Sequence, residues 1–287
     1  MVAISTVIIN ALILSALYAL VALGLTLIFS VGGVFNLAHG VNVSLGAFGA
    51  WYVAVELGFG IWVGALAAII LPAIFSGLLY RGMIQRIQNQ AMTVMTVTLL
   101  IELISEYSIR EVIGIQSRSV PPLFPGVVRV GGATITINRI ATVLITLSLV
   151  GLMILVITRT QAGKAVLATS MSDRGSSLVG INKNRIQMYT WITAGILGGI
   201  AGLFFGSIRS AQWQLGMEVL VIAFPIVVLG GMGSIRGTLV ASLLFGFLTV
   251  GITFYSNPSL TGIVPVVIVI LILLARPQGL FGRELEV

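Results

Sequence analysis

Long apolar runs, most without a charge over their central turns, recur from one end of this chain to the other. About 20 consecutive apolar residues are what an α-helix needs to cross a bilayer. The runs are continuous, whereas a transmembrane barrel would show alternating segments of about ten residues. Only 8% of the residues are charged and 58% are hydrophobic. A soluble domain carries about 25% charged residues, so this chain cannot clothe a water-facing surface. It therefore reads as an all-α integral membrane protein, a polytopic helical bundle. Its 287 residues leave room for about eight or nine spans with short connections.

Spans are expected at about 5–29, 60–80, 91–108, 139–158, 187–207, 217–233, 237–255 and 260–275, with a broken helix near 33–57. The whole of 1–287 reads as a single transmembrane domain with two segments outside the membrane, 109–138 and 159–186. The first residues, MVAISTVIIN, lack the cationic start of a signal peptide and are expected to open a retained span. The absence of cysteine excludes disulfides and thiolate metal sites.

The net charge is +7, yet the cations sit at span ends. They read as topology signals and headgroup contacts, not as a nucleic-acid surface. Placing 159–186 in the cytoplasm puts ten of the 15 Lys and Arg residues on that side, with Arg110, Arg118, Arg129, Arg139 and Arg209 opposite. That orientation follows the positive-inside rule and makes the C-terminus cytoplasmic.

The segment 109–138 has its own grammar. Pro121, Pro122 and Pro125 forbid a helix, and VVRV-GG-ATITI alternates about two glycines suited to a tight hairpin turn. Such a hairpin suits a cap over helix ends or a docking surface for another protein.

Polar groups buried in lipid without partners cost several kcal/mol. In GGVFNLAHGVNVSLGAFG (32–49), Asn36, His39 and Asn42 stand at membrane depth among glycines. Either they line a cavity, as in transporters built on glycine-broken helices, or they satisfy one another at a helix contact. A second glycine cluster, VLGGMGSIRGTLV (228–240), contains Gly230, Gly231 and Gly233 and pairs loosely with the first, pointing to an internal repeat around a central path. Glu102 lies within a span, where a carboxylate could couple transport to protons. Glu106 and Arg110, one turn apart, are expected to pair at the membrane surface. No zinc-protease H-E-x-x-H and no phosphate-binding G-x-x-x-x-G-K-[ST] occurs, so no catalytic or metal-ligating residue is assigned. No cofactor is expected in this chain, and any nucleotide would be bound by a partner.

The segment 163–185, GKAVLATSMSDRGSSLVGINKNR, is the most polar insert in the chain. Residues 172–180 suit a short helix, with Ser172 or Asp173 as N-cap and Gly180 as stop. Small residues leave it a smooth surface, which serves a polar loop or a docking handle equally.

Four stretches together resemble the permease subunits of branched-chain amino-acid ABC importers, the LivH type. They are ALGLTLIFSVGGVFNLAHG, the polar insert with its G-[RK]-A start and G-I-N end, VLGGMGSIRGTLV, and LLARPQGLFGR. They run from the first span to the C-terminus in the family's order. The resemblance implies an ABC importer permease fold and an inner-membrane location. It implies two ABC ATPase subunits, a homologous second permease or a second copy, and an extracytoplasmic substrate-binding protein as partners. It also implies a non-catalytic subunit that carries branched-chain or other neutral amino acids. Lys164, Ser172, Asp173, Arg174, Ser176, Ser177 and Gly180 become the ATPase-coupling residues by motif position, and Asn36, His39 and Gly40 pathway residues. Importers of urea, amides and other small solutes share this style of sequence. A proton-coupled carrier using Glu102 and a non-transporting scaffold are the remaining alternatives.

Overall fold

The computed structural model describes residues 2–130, 133–171, 173–255, 263–276 and 278–281. The first helix, α1 (Val2–Gly32), has 31 residues and is about 46 Å long at 1.5 Å per residue. The chain then breaks and restarts as α2 (His39–Trp51), which runs on through a π-helical turn at Tyr52–Glu56. Next come α3 (Ile61–Leu79), a second π turn at Tyr80–Ile84, and the short α4 (Gln85–Ile87). The helix α5 (Ala91–Ile113) leads into the segment outside the bundle. There β1 (Val127–Val130) pairs antiparallel with β2 (Ala133–Thr136), Val127 opposite Thr136. The return helix is α6 (Ile137–Arg159), followed by α7 (Gln161–Met171) and α8 (Asp173–Leu178). The last four are α9 (Lys183–Arg209), α10 (Leu215–Gly230), α11 (Ile235–Tyr255) and α12 (Ile263–Ala275).

Among the described residues, six helices are long and apolar enough to cross a membrane, in α1, α3–α4, α5, α6, α9 and α11. The broken helix expected near 33–57 forms as a break followed by α2, the span expected at 217–233 is the shorter α10, and α12 covers the described part of the span expected at 260–275. For α2 and α10 the reason is geometric. Both start inside the bundle, because each follows a break after a long helix.

The two ends of the bundle are fixed by contacts. At one end Arg139 Nη1 donates to Asn10 Oδ1 (3.1 Å), and the backbones of Arg118 and Ala211 exchange two hydrogen bonds. At the other, Tyr80 Oη donates to Gln187 Oε1 (2.9 Å) and Gln88 Nε2 to Asn184 Oδ1 (3.0 Å). Hence α1 runs from the hairpin end to the α7–α8 end, and α9 runs the opposite way. Their partners match in the same inverted sense. The helix α1 packs on α9, α10 and α11, while α9 packs on α1, α2 and α3. The correspondence is α1 with α9, α2 with α10, α3 with α11, an inverted repeat of the kind found in transporters. The break at 33–38 is therefore answered by the break at 210–214, not by the glycine cluster at 228–240.

The hairpin of the external segment forms as the alternation predicted, and its turn residues Gly131 and Gly132 lie outside the described residues. The segment is strapped down over the end of α9. Val120 N–H donates to Gly206 O (3.1 Å), Leu123 N–H to Asn138 Oδ1 (3.1 Å) and Asn138 Nδ2 to Ser207 Oγ (2.8 Å). The Arg118 guanidinium lies 4.7 Å from the centre of the Trp51 ring, within cation–π range. These contacts are those of a cap. The expected pair Glu106–Arg110 is replaced by Arg110–Glu111 at 3.8 Å. Arg110 leans toward Tyr107 and Trp213, 6.0 and 5.5 Å from their ring centres, and this turns its guanidinium away from Glu106.

A glycine stripe on α9 brings the halves together. A Cβ on Gly195 would lie 2.5 Å from the Pro72 carbonyl, and one on Gly199 would strike the Ala68 carbonyl and Pro72 Cγ. One on Gly202 would strike the Val43 carbonyl, and one on Gly46 of α2 the Gly199 carbonyl. With no hydrophobic force between helices in lipid, such backbone-close packing supplies the attraction. Gly199→Val is expected to destabilise the fold by about 3 kcal/mol or more, read as loss of the monodisperse peak of detergent-purified protein. Gly151→Val, at a position with open space around it, should leave that peak unchanged.

Candidate functional site

The break after α1 leaves the first amides of α2 without intrahelical acceptors, and the break lies deep in the bundle. Asn36, His39 and Asn42 are all buried, at 1% exposure or less. The helix brings no capping side chain at its own N-cap, Ala38. The acceptors come from just before the helix and from α5. Asn36 Oδ1 accepts from Ala38 N–H (3.0 Å) and the Asn36 carbonyl from His39 N–H (3.2 Å). Thr98 Oγ1 accepts from Leu37 N–H (3.1 Å), and Glu102 Oε2 accepts from Val41 N–H (2.7 Å). Thr98 and Glu102 are one turn apart on the buried stripe of α5, and Glu102 stands midway along that helix. A carboxylate also suits the positive end of a helix dipole.

The first turn of α10 meets the first turn of α2 at the same point. A Cβ on Gly40 would strike the Gly216 carbonyl and lie 2.5 Å from Glu102 Oε1. One on Gly216 would lie 2.5 Å from Glu102 Oε1, 2.7 Å from the Gly40 carbonyl and 2.7 Å from Ser44 Oγ. Two half-helices thus cross start to start, glycine on glycine, with one carboxylate wedged beside them.

Above this crossing runs a polar chain. Ser76 Oγ of α3 donates to Asn42 Oδ1 (2.9 Å), which leaves Asn42 Nδ2 as the donor toward His39 Nδ1 at 3.4 Å. His39 Nδ1 is then an acceptor, and the ring proton of the neutral imidazole sits on Nε2. The ring is gripped between glycines of both halves. A Cβ on Gly24 of α1 would lie 2.5 Å from His39 Cε1, and one on Gly198 of α9 3.3 Å from the same atom.

The structure thus gathers Asn36, His39, Gly40 and Asn42 into one cluster, but Gly230, Gly231 and Gly233 lie elsewhere. They occupy the α7–α8 end, where Gly279, Leu280 and Phe281 of the closing stretch dock. Leu280 N–H donates to the Leu229 carbonyl (2.8 Å) and Phe281 N–H to the Gly230 carbonyl (3.1 Å). Gly279 fits against Gly231, Gly230 against Gly237, and Gly233 near Ser30.

In the polar insert, the short helix expected from 172–180 is α8, with Gly180 (φ 78°) just beyond it. Ser172 lies outside the described residues, and Asp173, Arg174 and Ser177 fall within α8. Lys164 is exposed on α7, a helix that the sequence reading did not separate from the loop. Of the small residues expected on a docking surface, Ser176 is buried at 2% exposure, whereas Ser170 and Gly175 are exposed. Apolar residues share that surface: Leu167, Met171, Leu178 and Val179 are 49%, 72%, 82% and 73% exposed.

Thr98 and the α9 glycine stripe are the site residues that the sequence reading missed. The glycine spacing 195–199 was a visible signal, the small-x-x-x-small pattern of close helix contacts. Thr98 carried no such signal, since its role depends on where α2 begins. If Glu102 serves as this cap, Glu102→Gln, which keeps an acceptor oxygen, should hold uptake within about twofold of the parent. Glu102→Leu leaves the Val41 amide unpaired, a cost of about 1–3 kcal/mol, and should cut the yield of folded protein several-fold. Loss of uptake in Glu102→Gln with normal folding would instead mark a protonatable group in the cycle.

The sequence matches the family described as "Branched-chain amino acid transport system / permease component" over residues 7–273. It is 26% identical to the high-affinity branched-chain amino acid transport system permease protein LivH of Escherichia coli, across 96% of this chain and 94% of that protein. It is 26% identical to BraD of Pseudomonas aeruginosa, a permease protein of the same description, with the same coverage. It is 24% identical to the ribose import permease protein RbsC of Haemophilus influenzae, over 97% of this chain and 87% of that one. No solved structure matches the chain.

Proposed function

The chain belongs to the branched-chain amino acid transport system permease family, and on that premise we infer that it imports branched-chain or other neutral amino acids as the membrane-spanning subunit of an ATP-driven complex. It is a permease component of an ABC-type transporter, with no chemistry of its own in this reading. ATP is bound by two ABC ATPase subunits. A second permease, a homologue or another copy, completes the path, and an extracytoplasmic binding protein delivers the solute. The charge count supports a cytoplasmic α7–α8 end and C-terminus.

The observation that carries the reading is the exposed apolar set on α7 and α8. Elsewhere on the chain such residues can face lipid. Here they lie between α6 and α9, on a segment that carries Lys164 and Arg174 and leads to Lys183 and Arg185 in the first turn of α9. An apolar patch rimmed by charge on a water-facing surface is a docking site, and an ATPase is the partner that an importer needs there. The path itself runs beside the crossing of α2 and α10. Asn36, His39, Gly40 and Asn42, buried in this conformation, would line it when the crossing opens, and Gly230, Gly231 and Gly233 would lie toward its cytoplasmic end.

The likeness to RbsC supports a broader second reading, import of another small uncharged solute such as a sugar, urea or an amide. ATP-driven uptake by the reconstituted complex separates the two, with leucine, urea and ribose as competing solutes. Inhibition by excess unlabelled leucine alone supports the first reading, and inhibition by urea or ribose alone the second. Uptake driven by a proton gradient with no ATPase present would remove both.

Leu178→Asp combined with Val179→Asp should detach the ATPase. We expect co-purification of the ATPase and ATP-driven uptake to fall at least tenfold, with the amount of permease in the membrane unchanged. Normal co-purification would place the docking site on another segment.

A further inference from the structure

Where α9 ends, the chain turns through Ser210, at φ 67° the one non-glycine residue with positive φ among those described, before α10 begins. Beside this turn, at the hairpin end of the bundle, lies a cavity of about 310 Å³. That is the lower end of the range for small-molecule sites, about 300–1,000 Å³. Its apolar floor is Phe205, Leu215 and Val219, all 5% exposed or less. Its rim carries Arg209, Gln212 and Glu218.

Arg209 Nη1 and Glu218 Oε1 are 4.0 Å apart, with side chains 46% and 57% exposed. A charge-assisted hydrogen bond closes to about 2.7–2.9 Å, so this pair is adjacent but not joined. An arginine offers five N–H donors and a carboxylate about four acceptor sites, and both keep most of that capacity. A cation and an anion side by side over an apolar floor form the complement of a zwitterion with an aliphatic tail. The solute carboxylate would face Arg209 and its ammonium Glu218, with the tail toward Phe205, Leu215 and Val219. A sugar, urea or a simple amide has neither charge to offer.

We propose that this cavity is a binding site on the permease itself for a free α-amino acid, with Arg209 holding the carboxylate and Glu218 the ammonium group. The site deepens the amino-acid reading above and rests on it. It tests the backbone charges of the solute more than its side chain. It also lies close to the crossing, because Glu218 is two residues from Gly216, the glycine that packs on Gly40. Occupancy therefore reaches the first turn of α10.

The chain has no cysteine, so Gln212→Cys gives a single thiol on the rim. Its labelling rate is measured in the assembled, vesicle-embedded complex, with the thiol reagent added to each side in turn. Leucine should slow labelling at least fivefold. Leucinamide, which lacks the carboxylate, 4-methylpentanoate, which lacks the ammonium, and ribose should not. Arg209→Gln or Glu218→Gln in the same background should abolish the protection while the complex still co-purifies. Equal protection by leucine and leucinamide, or none by leucine, overturns the proposal. ATP-driven leucine uptake by the parent complex is measured in parallel. Uptake without protection sinks this site alone, whereas absence of uptake sinks the amino-acid reading on which it rests.

Discussion

A helix that begins inside a bilayer exposes amides that water cannot reach, and the fold is organised around the need to satisfy them. The solution is borrowed from α5. Thr98 and Glu102 present oxygens to Leu37 and Val41, while Asn36 serves Ala38 from within the break. An unsatisfied buried amide costs about 1–3 kcal/mol, so these acceptors decide whether α2 can start where it does. They also hold α5 in place. That helix is largely exposed along its length, and Val94, Thr98 and Glu102 are its buried residues.

Starting α2 in mid-bundle has a second consequence. Its inverted counterpart, α10, starts at the same depth, and the two first turns must share the space with a carboxylate. Only residues without a side chain allow it, which explains glycine at both 40 and 216. The same logic continues on α9, where Gly195, Gly199 and Gly202 let α2 and α3 approach backbone to backbone. Close contact in lipid gains from dispersion and from short polar contacts, so the core is intolerant of added volume at these positions.

What could be read from the sequence follows from which forces are local. Hydropathy alone places the six long spans, because each is a continuous run whose partner is lipid. The hairpin at 127–136 is equally legible, since alternation and turn glycines are neighbours in sequence. The short α8 followed from its stop at Gly180. The exact depth of α2 and α10 was not legible, because a half-helix is defined by the acceptors that meet it, and those lie some 60 residues away. From sequence Glu102 reads as a proton-coupling candidate, and its role as acceptor for Val41 N–H shows only once α2 is placed beside it, since a buried carboxylate looks alike whether it titrates or caps. The glycines at 230, 231 and 233 do break the chain between α10 and α11, but their place in the bundle was not legible for a related reason. Composition marks them as a break, but only the docking of Leu280 and Phe281 shows that the break belongs to the end of the bundle.

The crossing and the polar insert are far apart in sequence yet share supports. The helix α7 packs on α1, α6 and α9, and Gly163 seats it against the backbone of Val156 and Ile157 at the end of α6. Of these, α1 and α9 are the two long helices whose ends define the breaks, and they carry Gly24 and Gly198, the glycines that grip His39. A displacement of α7 therefore reaches the His39 ring through two rigid helices and no loop. Such contiguity becomes coupling only if the receiving element has two discrete arrangements. The crossing offers a basis for that: with glycine against glycine there is no gradual slide available, and any shift of α10 past α2 must exchange one set of contacts with Glu102 for another. A close-packed joint of this kind moves in steps or not at all.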